Sequence, residues 1–179
     1  MQEFKITGIG IDTRTDNPLI ILHSLESDLI LPIWIGRLEA HSIAIALQEE
    51  KVERPLTHDL IINCLEKFGF KLDRTIIHSV IDSIFYADLV FKNLITGEEI
   101  LLDARPSDCI ALAVRANCSV LVSALVIEES CIPAIIQIED PNESENDKTE
   151  TKKEKEAFQR FLDNVKASDF KLSSDGKEN

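Results

Sequence analysis

The chain has 179 residues, a net charge of −13 at pH 7, 44% hydrophobic residues and 28% charged residues. This is an ordinary globular composition, and the length suffices to bury a core without disulfides. The acidity argues against a broad nucleic-acid-binding surface, and apolar runs such as Leu29–Ile35 are far too short to span a bilayer.

Met1-Gln2-Glu3-Phe4-Lys5 lacks the basic, apolar and small-residue order of a secretory signal, so the chain reads as cytoplasmic. Phe4 to Ile11 alternates but shifts parity around Gly8-Ile9-Gly10, which predicts a strand with a bulge. Thr13 to Pro18 is a turn, Leu19 to Leu22 a second strand, and Leu25 to Asp28 another turn. Leu29 to Ile35 is a third strand, at an edge or irregular near Pro32, which has no N–H to donate. Leu38 to Gln48 reads as a helix with Ala40, Ile43, Ala44 and Leu47 on one stripe. Thr57 is the expected cap of a second helix, with Ile61, Cys64, Leu65 and Phe68 inward and Gly69 as its stop.

Phe70 to Ile81 and Ser83 to Leu94 are β-branched and aromatic, as long strands are. Asn93 to Glu98 turns into a strand over Glu99 to Leu102. Asp103-Ala104-Arg105-Pro106-Ser107-Asp108 then leads into a helix of roughly ten residues, and a further strand lies near Val120–Val122. Three strands precede any helix and no regular βαβ repeat appears. The fold class is therefore α+β, a mixed and mostly antiparallel sheet with a few packed helices, plus a C-terminal amphipathic helix. Residues 1–138 form the domain. An acidic flexible linker follows at 139–150, where Glu139 to Asp147 carries no apolar residue. An amphipathic helix and a disordered tail occupy 151–179, with Phe158, Phe161, Leu162 and Val165 on one face. The tail does not carry the acidity alone: residues 1–138 hold 20 acids and 11 bases, and residues 139–179 hold 12 and 8.

The six residues from Asp103 to Asp108 place two carboxylates and a guanidinium where a strand meets a helix N-terminus. Backbone N–H groups point outward there and anions bind well. Phosphodiester hydrolysis needs an activated water, charge stabilisation and help for the leaving group. The chain has a candidate for each. Asp103 and Asp108 suit a metal ion or a base, Arg105 suits a phosphate, and His58 with Asp59 suits proton transfer. Glu39, another first-turn acid, and the loop residue Arg54 complete the set. The same residues also read as plain structure: Ser107 as a cap, Asp108, Asp59 and Glu39 as acids favoured by helix dipoles, and Asp103–Arg105 as a local ion pair. His23, His41 and His78 show no ligand spacing, the four cysteines show no zinc spacing and read as structural thiols, and Trp34 reads as a core or interface anchor.

Three blocks in matching order resemble the bifunctional nuclease family of bacteria and plants. They are Leu31-Pro32-Ile33-Trp34-Ile35-Gly36 followed by Glu39-Ala40, Arg54-Pro55-Leu56-Thr57-His58-Asp59-Leu60, and Asp103 to Asp108 continuing into Ile110-Ala111-Leu112-Ala113. Phe85-Tyr86-Ala87 supports them. The chain departs from the family pattern at His41-Ser42, at Cys109 and at Ala116-Asn117-Cys118-Ser119. The resemblance implies an α+β domain that forms homodimers or larger homo-oligomers and a nuclease acting on RNA and DNA with low sequence specificity. A divalent cation such as Mg2+ or Mn2+ would assist it. The rival is a non-enzymatic homo-oligomeric module that binds a partner protein or a small anionic ligand, which the acidic charge favours. Neither reading involves a membrane.

The composition switch at Glu139 sets one expectation. Limited proteolysis should cut first between Asp140 and Thr149, and a first cut within residues 70–105 would contradict the domain boundary.

Overall fold

β1 (Gln2–Asp12), β2 (Asn17–Ser24) and β3 (Leu29–Trp34) form an antiparallel meander in the computed structural model, which describes residues 1–12, 15–49 and 52–134. The register of β1 on β2 slips between Ile6 and Gly8, so the expected bulge is present. β2 alternates strictly, burying Pro18, Ile20, Leu22 and Ser24, as a strand with one face on the core does. α1 (Arg37–Leu47) buries Ala40, Ile43 and Ala44 of the predicted stripe, while Leu47 stays exposed in the last turn.

After α2 (Thr57–Lys67), β4 (Phe70–Ile81) and β5 (Ile84–Asn93) make the long hairpin. Asp82 and Ser83 turn it, both with positive φ (50° and 64°). Two left-handed central residues are the signature of the tight turn whose twist matches the strands, so Ser83 belongs to the turn and not to β5. β6 (Glu99–Ala104) adds to the outside of β5, and α3 (Pro106–Ala116) crosses back to β7 (Ser119–Val122). β7 lies parallel to β4 and antiparallel to β1, joining the two hairpins into one sheet of order β6-β5-β4-β7-β1-β2-β3-β8. α4 (Ala124–Ser130) and the short β8 (Ile132–Pro133) close the domain. β8 covers only Leu29 and Ile30, which leaves Pro32 on the open outer part of β3. The architecture is α+β with one parallel pairing in an otherwise antiparallel sheet. No described helix is long and apolar enough to cross a membrane.

α3 is the central helix. It packs on α1 and α2 and against β4, β5 and β7, and buries Ile110, Ala111, Leu112 and Ala113 in a core shared with Ile43, Ile77, Leu89 and Val120. Arg105 occupies its N-cap position in an extended conformation (ψ 145°) with Pro106 at the first helical position. A residue before proline is pushed out of the helical region, and proline tolerates the first turn because it has no N–H there. Asn117 ends the helix in the left-handed conformation, and the Cys118 N–H reaches back to the Ala113 carbonyl (3.1 Å).

Several sequence expectations are corrected. Ser107 is not the cap of α3; it lies inside the first turn and is buried. Leu56, not Thr57, holds the N-cap position of α2. The inward face of α2 is also different: His58, Asp59, Ile62 and Leu65 turn inward, while Leu60, Ile61, Cys64 and Phe68 stay exposed, Phe68 at 78%. Trp34 is not a core residue; it is half exposed, and its Nε1 donates to Asp12 Oδ2 (3.2 Å). α4 was unforeseen, because a helix of seven residues has too few turns to show a period. The linker and tail expected beyond residue 138 lie outside the described residues.

Candidate functional site at three helix N-termini

Glu39, Asp59 and Asp108 hold the same local position, third in α1, α2 and α3 respectively. A carboxylate there faces the unpaired N–H groups and the positive end of the helix dipole. Asp59 Oδ2 accepts from the Leu56 N–H (2.8 Å), satisfying one such group. The Glu39 carboxylate folds back over Gly36, where any side chain would collide with it.

Three cationic or polar side chains then tie these helix ends together. Arg105 grips Asp108 side-on, through Nε to Oδ2 (2.7 Å) and Nη2 to Oδ1 (3.1 Å), and reaches Glu39 Oε1 with Nη1 (2.9 Å). His58 Nε2 lies 3.3 Å from Asp108 Oδ1, and its Nδ1 lies 2.9 Å from Ser42 Oγ on α1. Arg115, in the last turn of α3 and only 8% exposed, donates to Asp59 Oδ1, the Ala111 carbonyl (2.9 Å), the Ser42 carbonyl (3.0 Å) and Ser42 Oγ (3.3 Å). The result is one chain of contacts: Glu39, Arg105, Asp108, His58, Ser42, Arg115 and Asp59. His58 and Asp59 are adjacent but serve different partners, as their i, i+1 spacing on a helix requires. They reach two points of α3 seven residues apart, about 10 Å at the helical rise.

The electrostatics follow this chain. Burial pushes the Asp108 carboxyl up, but hydrogen bonds from Arg105 and His58 outweigh it and hold the group below its ordinary value. Asp59 behaves alike: burial opposes ionisation, and the Leu56 N–H and Arg115 more than compensate. Arg105 is the outermost member, with 66% of its side chain exposed, and Asp108 followed by Glu39 raises its pKa further.

Of the residues singled out in the sequence, Glu39, His58, Arg105 and Asp108 meet in this group, and Asp59 joins through Arg115. Asp103 does not. It belongs to β6, directly opposite Asp88 on β5, and the expected Asp103–Arg105 pair is replaced by the contacts of Arg105 to Asp108 and Glu39. Arg54 is exposed in the loop before α2. Ser42 and Arg115 were missed as members. Arg115 carried a signal: it is the sole charge in residues 109–116 and stands seven residues from Asp108, two turns along one face.

The donor set does not match a divalent cation as it stands. Among the described residues no three His, Cys, Asp or Glu side chains are grouped to hold one, and the carboxylates of Glu39 and Asp108 are both bonded to Arg105.

A domain with this fold, and with the strand-to-helix junction carrying Asp103 to Asp108, matches the bifunctional nuclease domain over residues 20–134. The chain belongs to that family. An uncharacterized protein of Mycobacterium tuberculosis is 35% identical over 175 residues, covering 97% of this chain and 100% of that one. Bifunctional nuclease 1 of rice, Oryza sativa subsp. japonica, is 25% identical over 113 residues, which is 63% of this chain but 34% of the rice protein. Bifunctional nuclease 2 of the same plant is 26% identical over 117 residues, 64% of this chain and 36% of its own.

The acid dependence of stability tests the Asp108 pairing. A carboxyl whose folded pKa lies below its ordinary 3.8 contributes stability above that value. The contribution is lost as the pH falls through the folded pKa. Asp108→Asn should cost about 1–2 kcal/mol at pH 7, allowing for the partial exposure of the pair. The difference from wild type should shrink between pH 5 and pH 2 in thermal melts. A constant difference over that window would mean that the carboxylate charge is not what Arg105 and His58 hold.

Proposed function

We propose that the protein is a cytoplasmic nuclease that hydrolyses phosphodiester bonds of RNA and DNA with low sequence specificity. The reaction is placed where the N-termini of α1, α2 and α3 meet. One observation carries the reading: an exposed guanidinium, Arg105, stands at a helix N-terminus beside Asp108, which is bonded to an imidazole. Arg105 uses three of its N–H groups on Asp108 and Glu39. A guanidinium has five, so one on each terminal nitrogen remains for phosphate oxygens. A water adds to phosphorus as the bond to the leaving oxygen breaks and its proton passes to solvent; His58, as the imidazolium, gives its Nε2 proton to the leaving oxygen, and Asp108 orients the ring beforehand. Arg105 neutralises charge that develops on the phosphorus oxygens. Arg54 offers a second phosphate contact from its loop. Asp59 acts only by holding Arg115, and Asp103 has no part in the reading. Family membership supports the class of reaction, and the names of the two rice proteins point the same way.

A second reading is favoured by the acidic charge of residues 1–138 and by the closed ion pairs themselves. In it the network staples three helices in a non-enzymatic module that binds a partner protein or a small anionic ligand. Arg105→Lys separates the two. Lysine keeps the charge but loses the planar fork. On the first reading it weakens binding of single-stranded RNA and DNA by about 1–2 kcal/mol, one charge-assisted hydrogen bond, with a smaller change in melting temperature. A large loss of melting temperature with unchanged cleavage would make Arg105 a staple only. The same cleavage assay with and without EDTA decides whether Mg2+ or Mn2+ takes part.

We also infer that the protein is a homodimer or a larger homo-oligomer. β6 is an edge strand among the described residues, and Ile100, Leu101 and Leu102 on it are exposed in succession, with Ile81 and Ile84 exposed at the neighbouring hairpin tip. Consecutive apolar side chains on an unpaired edge are a template for another chain. Sedimentation at micromolar concentration should show a species above 20.1 kDa, and Leu101→Lys should return it to that mass. A lone 20.1 kDa wild-type species would remove the inference.

A further inference from the structure

Ser42 lies in the middle of α1, where a hydroxyl usually faces solvent or bonds the carbonyl one turn back. Here it is half-buried and points across to α2, 2.9 Å from His58 Nδ1. The other ring nitrogen lies 3.3 Å from Asp108 Oδ1, and an ionised carboxylate only accepts. The neutral ring therefore carries its hydrogen on Nε2 and turns the lone pair of Nδ1 to the Ser42 hydroxyl. A serine beside a basic ring nitrogen, in a ring oriented by a carboxylate, is an activated nucleophile, recognised by these roles and not by position in the chain. We propose that Ser42, His58 and Asp108 are the nucleophile, the base and the orienting acid of a second activity, the hydrolysis of carboxylic esters with an apolar acyl group.

Two neighbouring features fit this chemistry. An open groove of about 750 Å3 is lined by Ile45, Ala46, Val52 and Val114, together with Asp59 and Arg115 of the network. Ile45 and Ala46 follow Ser42 by three and four residues, on the same face of α1. The groove thus begins within one turn of the hydroxyl and offers an acyl chain an apolar bed. The second feature is Arg115 Nη2, which is 3.3 Å from Ser42 Oγ. A donor that close to the attacking oxygen is within reach of the carbonyl oxygen on which negative charge develops. In the reaction Oγ adds to the carbonyl carbon as its proton passes to His58 Nδ1, and Asp108 stabilises the imidazolium. The bond to the alcohol oxygen breaks, and that oxygen takes the proton from Nδ1. Water then adds to the acyl carbon with one proton passing to Nδ1, the bond to Oγ breaks, Oγ takes the proton back and the free acid leaves. This cycle starts from the neutral ring and acts at Nδ1, so it does not rest on the nuclease reading, which uses the imidazolium and Nε2.

Diisopropyl fluorophosphate, which transfers its phosphoryl group to an activated serine with loss of fluoride, tests the full wild-type chain without any variant. Mass spectrometry of the intact chain and of its peptides should find one adduct, on Ser42, and the labelled protein should no longer hydrolyse p-nitrophenyl octanoate. Labelling should slow by about a hundredfold or more in His58→Gln, the scale of a lost general base. Ala46→Trp, which fills the groove, should lower the rate on the octanoate ester about tenfold relative to the acetate ester. A wild-type chain that takes no adduct on Ser42 overturns the proposal, and so does labelling of His58→Gln at the wild-type rate. An unchanged ratio of the two esters in Ala46→Trp overturns the apolar acyl class. Labelling and ester hydrolysis without cleavage of RNA or DNA uphold the proposal and defeat the nuclease reading alone; cleavage without labelling does the reverse.

Discussion

One guanidinium links the N-terminal ends of two packed helices, α1 and α3. Arg105 sits at the cap of α3 and holds a carboxylate of its own helix and one of α1. Without it Glu39 and Asp108 would be two like charges at neighbouring helix ends. Each of these acids also stands at the positive end of its own helix dipole. The guanidinium fits because it is planar and can bond two carboxylates along different edges, which a lysine ammonium cannot.

The same network explains the least expected feature of the fold, the rotation of α2. Its apolar periodicity directs Ile61, Cys64, Leu65 and Phe68 towards the core, and burying a phenylalanine is worth roughly 1.5–3 kcal/mol. Of that set Leu65 packs on the core, beside Ile62, but the helix forgoes the gain from Phe68 and turns His58 and Asp59 partly inward. Asp59 then meets Arg115, and His58 meets Asp108 and Ser42. A helix that turns a histidine and an aspartate partly inward while Ile61 and Phe68 stay exposed breaks a local rule. Such breaks concentrate where a site demands a geometry that packing alone would not choose.

Much of the fold is legible in the sequence because it rests on local signals: alternation in β2, the bulge beside Gly8, the apolar stripe of α1, and Gly69 after α2. The site was legible only in part. Glu39, Asp59 and Asp108 were found because first-turn acids next to helix starts are a short-range pattern, and Arg105 because it precedes Pro106. Which partners they take is long-range. Arg105 lies 66 residues from Glu39 and His58 lies 50 residues from Asp108, and no spacing rule connects them. Asp103 was grouped with Asp108 on proximity in the chain, yet β6 extends through Ala104 and keeps Asp103 in the sheet. Ser42 and Arg115 were missed because a serine within an apolar helix stripe and an arginine in a helix's last turn both have ordinary explanations.

An acidic protein that handles a polyanion needs its charge arranged locally. Leaving the imidazole aside, the network counts two arginines against three carboxylates, one negative charge in excess. The positive ends of the α1, α2 and α3 dipoles, roughly half a charge each, offset that excess. On the nuclease reading, an anion is accepted beside Arg105 and repelled by the acidic remainder of the domain. Such a site contacts one or two phosphates and not a long stretch of backbone. Affinity for a polymer should accordingly fall only shallowly with salt, since the slope scales with the number of phosphates neutralised. On that reading low sequence specificity is expected as well, because contacts to phosphate carry no base information.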